Sequence, residues 1–184
     1  MRQRNVRPGE SVCLLKVSLS DGSGNTRDMP WRTVALPAGA SLYDAAQAIV
    51  ASFDFDFDHA FGFYDNLKLW GKPREGYELF ADMGEKGEFP GTKKAPIGQV
   101  FDRRGKRMLM LFDYGDQWPF VVELVETRPG ESGEKLPRMM QSEGEAPLQY
   151  GDEEDDWDED SEESWEDEED EDEGENPDDT RPRR

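Results

Sequence analysis

Residues 107–126, RMLMLFDYGDQWPFVVELVE, decide how the rest of the chain is read. Two apolar runs, 108–112 and 120–125, flank the polar insert Asp113-Tyr114-Gly115-Asp116-Gln117. β-Branched and aromatic residues on both sides of a short insert predict a β-hairpin, with Gly115 supplying the positive φ of the turn. The return run alternates, Val121, Glu123 and Val125 against Val122, Leu124 and Glu126, so one of its faces is expected to be buried. The outgoing run has no polar face and reads as a central strand covered on both sides.

Upstream, residues 11–19 (SVCLLKVSL) predict a strand, the Gly/Ser/Asn/Asp-rich residues 21–26 a turn, and residues 29–36 the partner strand, ended by Pro37. Ser41 followed by Asp44 resembles a capping box with Asp in place of the usual Glu. Leu42, Ala45, Ala46, Ile49, Val50 and Phe53 then make one apolar stripe at helical spacing, suited to packing on a sheet. Residues 52–64 (SFDFDFDHAFGFY) alternate aromatic and acid. They predict an extended segment leading into a strand that runs towards Leu69. Residues 72–96 read as a long surface loop anchored only at 77–80, residues 97–101 as a short helical turn or strand, and residues 103–107 as a basic turn.

The formal charge is −21, and its distribution is uneven. Residues 151–184 hold 21 of the 43 acidic residues and 3 of the 22 Lys and Arg, a net of −18. This divides the chain into a flexible N-terminus (1–10), one α+β domain (11–150, with 129–150 a peripheral closing segment) and an acidic tail (151–184). The tail carries only Trp157 and Trp165 as large side chains. Such a composition cannot bury enough apolar area to offset an ordering entropy of about 1–2 kcal/mol per residue, so the tail is expected to be disordered. No apolar run is long enough for a membrane span, and the polar opening MRQRNVRPGE predicts no secretory leader. The single cysteine, Cys13, fits a reducing cytoplasm and a buried small hydrophobe.

The order of these pieces resembles the plasmid Ri ORF-three-like family. The resemblance rests on Trp31-Arg32, the helix opening at Ser41, the Phe53-to-His59 segment, Lys94-Ala95-Pro96-Ile97-Gly98 and, most specifically, the Asp113-Tyr114-Gly115-Asp116-Gln117-Trp118 box. Pro137-Arg138, the Gly144-to-Pro147 stretch and Gln149-Tyr150 resemble its closing segment. It covers residues 11–150 and leaves the acidic tail outside. It implies an α+β roll, a curved, largely antiparallel sheet packed on one or two helices, and a setting in plasmid or mobile-element biology. It implies no settled activity. A resolvase role attached to some members is not supported, because the chain has no serine-recombinase nucleophile motif and no basic DNA-binding helix.

The box is the leading candidate site. Asp113 and Asp116 can work as an acid/base pair or hold a divalent cation weakly, with His59 a further participant. On the structural alternative, both aspartates accept hydrogen bonds from turn amides and Trp118 is a buried anchor of the hairpin. Asp54, Asp56, Asp58 and His59 invite an EF-hand comparison, with Asp65 at the twelfth position. However, His59 stands where the loop needs Gly, and Phe55 and Phe57 occupy positions that should face water. Weak cation binding there and an aromatic face packed on the core both remain open. One histidine and one cysteine exclude a zinc site rich in either, and no nucleophile elbow or phosphate-binding loop is present. The acidic tail points to a basic protein partner and disfavours direct contact with nucleic acid. The basic clusters Lys93-Lys94 and Arg103-Arg104-Lys106-Arg107 offer a surface on which the tail can dock weakly. The chain therefore reads as a non-enzymatic cytoplasmic binding domain, with an enzyme built on Asp113, Asp116 and His59 as the alternative.

Overall fold

The computed structural model describes residues 3–7 and 9–150, so the acidic tail lies outside the described residues. In chain order the elements are β1 (Arg4–Asn5), β2 (Ser11–Leu19), β3 (Trp31–Pro37), α1 (Leu42–Ser52), β4 (Phe61–Tyr64) and β5 (Gly76–Glu78). There follow α2 (Leu79–Asp82), α3 (Ile97–Val100), β6 (Arg107–Phe112), β7 (Trp118–Pro129), β8 (Lys135–Leu136) and β9 (Arg138–Glu143). Seven strands form one antiparallel sheet in the order β5-β4-β6-β7-β2-β3-β9, and β1 pairs separately with β8. This is an α+β architecture of mainly antiparallel sheet with few helices.

The predicted hairpin is β6–β7, in register from Arg107 opposite Glu123 to Phe112 opposite Trp118. β7 takes the middle of the sheet. β6 lies beside it between β7 and β4, and residues 108–112 are buried on both faces, as an unbroken apolar run requires. Val125 is the extra residue of a β-bulge: Leu14 pairs with Glu126 but Leu15 pairs with Leu124. The bulge lets the twelve-residue β7 bend as it crosses the sheet.

On one face Met108, Met110 and Phe112, with Phe120, Val122 and Leu124, meet the buried stripe of α1 formed by Leu42, Ala45, Ala46, Ile49 and Val50. The α1 terminus is capped as its sequence predicts: the Asp44 amide donates to Ser41 Oγ (3.1 Å) and the Ser41 amide to Asp44 Oδ2 (2.9 Å). Cys13 is a fully buried member of the same core, and desolvation raises its thiol pKa.

Three expectations need correction. The strand opened by the aromatic/acid segment stops at Tyr64 instead of continuing to Leu69, because the Asp65 side chain accepts the Arg74 amide (2.8 Å) and turns the chain back into β5. Residues 72–96 are not one loop. They carry β5 and α2, and Asp82 Oδ2 gathers the amides of Thr92 (2.6 Å) and Lys93 (2.9 Å), pinning the loop's return. The closing segment is not merely peripheral, since β9 is a six-residue edge strand of the main sheet. Its side chains are all exposed, and that exposure hid it from pattern reading.

Arg32 joins these parts. It is 7% exposed, stacks over Phe53 (4.6 Å), and donates to the carbonyls of Ser52 (2.9 Å), Trp31 (2.9 Å), Glu143 (3.0 Å) and Gly144 (3.1 Å). One guanidinium thus ties the end of α1 to β3 and to the end of β9, using several donors of its planar fork at once. A lysine cannot reproduce that set. Arg32→Lys is expected to lower the unfolding free energy in urea by about 2–3 kcal/mol, the range for hydrogen bonds from a charged group left partly unmade; an unchanged midpoint would show that the carbonyls are satisfied without the fork.

Candidate functional site

The box closes the β6–β7 hairpin. Asp113 is 6% exposed and leaves the strand in left-handed backbone (φ 57°). Its Oδ1 accepts from the amides of Gly115 (2.8 Å) and Asp116 (3.3 Å), and the Gln117 amide donates to its carbonyl (2.8 Å). An aspartate tolerates this conformation because its short carboxylate replaces the turn's missing backbone acceptors. The positive φ expected at Gly115 falls instead on Asp113 and Gln117 (φ 59°). Asp113 therefore holds amides of the turn, as one of the two readings requires, while Asp116 lies exposed beyond it.

His59 reaches the same carboxylate from the neighbouring loop. Its Nε2 lies 3.5 Å from Asp113 Oδ2, and its Nδ1 lies 2.7 Å from Asp58 Oδ1. Residues 53–59 alternate as the residue types dictate, with Phe53 and Phe55 buried, Phe57 packed on Phe61 (5.3 Å), and Asp54, Asp56 and Asp58 exposed. The carboxylates face outward and do not converge, and helices do not flank the segment on both sides as an EF-hand requires. Among the described residues no group of three or more His, Cys, Asp or Glu is placed to hold a metal ion.

The closing segment completes this end of the sheet. Tyr150 donates to Asp58 Oδ2 (2.6 Å), and the Gln149 side chain takes the Asp56 amide (2.5 Å) and returns a bond to the Asp56 carbonyl (3.1 Å). Hydrogen bonding from Tyr150, with His59 as a further donor, lowers the Asp58 pKa, and the same bond pushes Tyr150 up to about 12. Nothing in the sequence pattern linked residues 149–150 to 56–58, since the contact spans about ninety positions.

The remaining box residues diverge. Tyr114 crosses to the other face of the sheet, where its hydroxyl lies 2.8 Å from that of Tyr64, which in turn donates to Glu78 (2.9 Å). Trp118, expected to be a buried anchor, is half-buried and packs edge to face against Phe55 (4.8 Å) at the border of the core. With Gln117 and Pro119 it lines an open concavity of about 850 Å³ that also receives Leu19, Met29 and Pro147. Its Nε1 is buried without a hydrogen-bond partner among the described residues. Three of the basic residues are engaged within the domain: Lys106 pairs with Glu75 (2.9 Å), Lys93 lies over Tyr43 (5.2 Å), and Arg103 pairs with Asp102 (3.1 Å).

The hydrogen bond to Asp58, aided by the charges of Asp113 and Asp116, raises the His59 pKa above its ordinary 6.5. The sign follows directly. A raised pKa means that the protonated contact is complete below about 6.5 and fades as pH climbs through the higher value. NMR titration of the only histidine is expected to give a midpoint above 6.5, and Asp58→Asn is expected to bring it down. A midpoint at or below 6.5 in the unmodified chain would place His59 outside this carboxylate cluster.

Among described residues, no helix is long and apolar enough to cross a membrane. No curated protein matches the chain. A crystal structure of a protein of unknown function from Methanosarcina mazei Go1 shares the fold with a TM-score of 0.59 at 22% identity, covering 75% of this chain and 72% of that one. The family model described as plasmid pRiA4b ORF-3-like protein matches residues 11–178. That span runs past Tyr150, so most of the acidic stretch falls inside the matched region and not outside it, as the resemblance at 11–150 had implied. The chain belongs to the plasmid pRiA4b ORF-3-like family.

Proposed function

We propose that the chain is a non-enzymatic binding module of the cytoplasm whose partner is a basic protein, with the acidic stretch as the main contact. The observation that carries this reading is where the chain leaves the domain. Tyr150 is fastened to Asp58 next to the exposed Asp56, with Asp116 close enough to act on the adjoining His59, and residues 151–184, with a net charge of −18, follow directly. The acidic end of the sheet and the acidic stretch are thus consecutive in the chain. They favour a polycationic partner and repel a phosphate backbone.

A second reading, acid/base catalysis by His59 with Asp113, has the 3.5 Å approach in its favour. Against it, Asp113 Oδ1 is engaged by two turn amides and His59 lies open to solvent rather than in a closed pocket.

The binding reading is tested by calorimetric titration with an oligolysine of about twenty residues, at low and at 0.3 M salt. The full chain is expected to bind at least tenfold more tightly than a chain ending at Tyr150. The triple change Asp54→Asn, Asp56→Asn, Asp58→Asn is expected to weaken binding by a further few-fold, with affinity falling steeply as salt rises. Equal affinity of the two chain lengths would remove the acidic stretch from the interface and overturn the proposal.

A further inference from the structure

On the face of the sheet opposite α1, a cavity of about 250 Å³ opens over β4 and β6. Leu109 and Leu111 form its apolar base, with Phe89 and Trp70 among its walls. Its polar end is a relay of three side chains. Tyr64 has a single proton, which it gives to Glu78 Oε1 (2.9 Å), so at 2.8 Å Tyr114 must be the donor to Tyr64. Burial, with the bond it donates to Glu78, holds Tyr64 in its neutral form, and burial pushes Tyr114 up to about 12. Both hydroxyls therefore remain donors across the neutral range, and Glu78 is the acceptor at the end of the relay.

Glu78 is half-buried and has no cationic partner within salt-bridge distance among the described residues, whereas Glu75, just ahead of the same strand, is held by Lys106 (2.9 Å). Lys68 also belongs to the cavity's lining but does not reach Glu78, so the half-buried carboxylate beside four aromatic rings keeps room for a bound cation. The rings offer their π faces, and the carboxylate a direct charge. Two local features keep the space as it is. At Gly62 a Cβ would lie 2.6 Å from the Tyr64 hydroxyl and 2.7 Å from that of Tyr114, so only glycine leaves the relay its seat. Trp70 stands at the mouth, 69% exposed, in left-handed backbone (φ 55°), with its indole N–H donating to Gln117 (3.3 Å). A large side chain held in that conformation and turned to water is costly unless it has something to cover.

We infer that this cavity binds an alkylammonium group, the ammonium against Glu78 and the tyrosine hydroxyls and its methylene chain along Leu109, Leu111 and the Trp70 ring. The inference does not depend on the acidic stretch, since the residues it uses all fall within 62–117. A basic protein could supply such a group as a lysine side chain, and a free amine would fit the same chemistry.

The test uses the full chain and n-butylammonium as the probe, following the Trp70 indole N–H by NMR, with n-butanol as the neutral control and n-butylguanidinium as the planar one. Saturable binding of the ammonium is expected, at least tenfold tighter than the alcohol and tighter than the guanidinium. Glu78→Gln keeps an acceptor for Tyr64 and is expected to abolish the preference over the alcohol. Trp70→Ala alters an exposed residue and is expected to weaken binding at least fivefold, followed then on the Tyr114 ring signals. Equal binding of alcohol and ammonium, a guanidinium preference, or an undiminished preference in Glu78→Gln would each overturn the assignment, as would a linear, unsaturable shift. Oligolysine binding lost on truncation at Tyr150, with n-butylammonium binding kept, separates this site from the acidic stretch.

Discussion

The turn held by the Asp113 side chain is the constraint on which the two ends of this structure depend. One carboxylate oxygen collects the amides of Gly115 and Asp116 while the other faces His59, and the residue's left-handed backbone redirects the chain between the two inner strands of the sheet. From that single corner Tyr114 is sent to one face, Trp118 to the other, and Asp116 to solvent. A different turn would move all three, because a shift of one residue in a strand exchanges its faces.

The box distributes its side chains to separate surfaces. His59 and Asp58 gather with Tyr150 at the sheet's end, Trp118 lines an open concavity, and Tyr114 completes the relay to Glu78. On the binding reading proposed above, these are separate shaped and charged surfaces held by one sheet.

The sequence disclosed the parts whose periodicity is local and strong. The hairpin, the α1 stripe with its Ser41–Asp44 cap, and the pairing of β2 with β3 follow from apolar spacing that the burial obeys. The edge strand β9 escaped because RMMQSE has no apolar alternation; it is held by backbone pairing to β3 and by Arg32, neither of which leaves a pattern in β9 itself. At the site, proximity of His59 to Asp113 was a guess that geometry placed at 3.5 Å, whereas Glu78 and Tyr64 were missed because their link to Tyr114 crosses from β4 to the hairpin turn. The one trace was Gly62, a glycine inside an aromatic strand, which marks a place where something approaches closely.

The most direct measurement is the unfolding free energy of Asp113→Asn compared with that of Asp113→Ala. Asparagine tolerates left-handed backbone and keeps an oxygen for the Gly115 amide, so it is expected to cost no more than about 1 kcal/mol; alanine keeps neither and is expected to cost about 2–3 kcal/mol. Alanine as stable as the unmodified chain would show that the turn does not need this side chain. Asparagine as damaging as alanine would show that the carboxylate's charge, and not its hold on the turn, is what position 113 supplies.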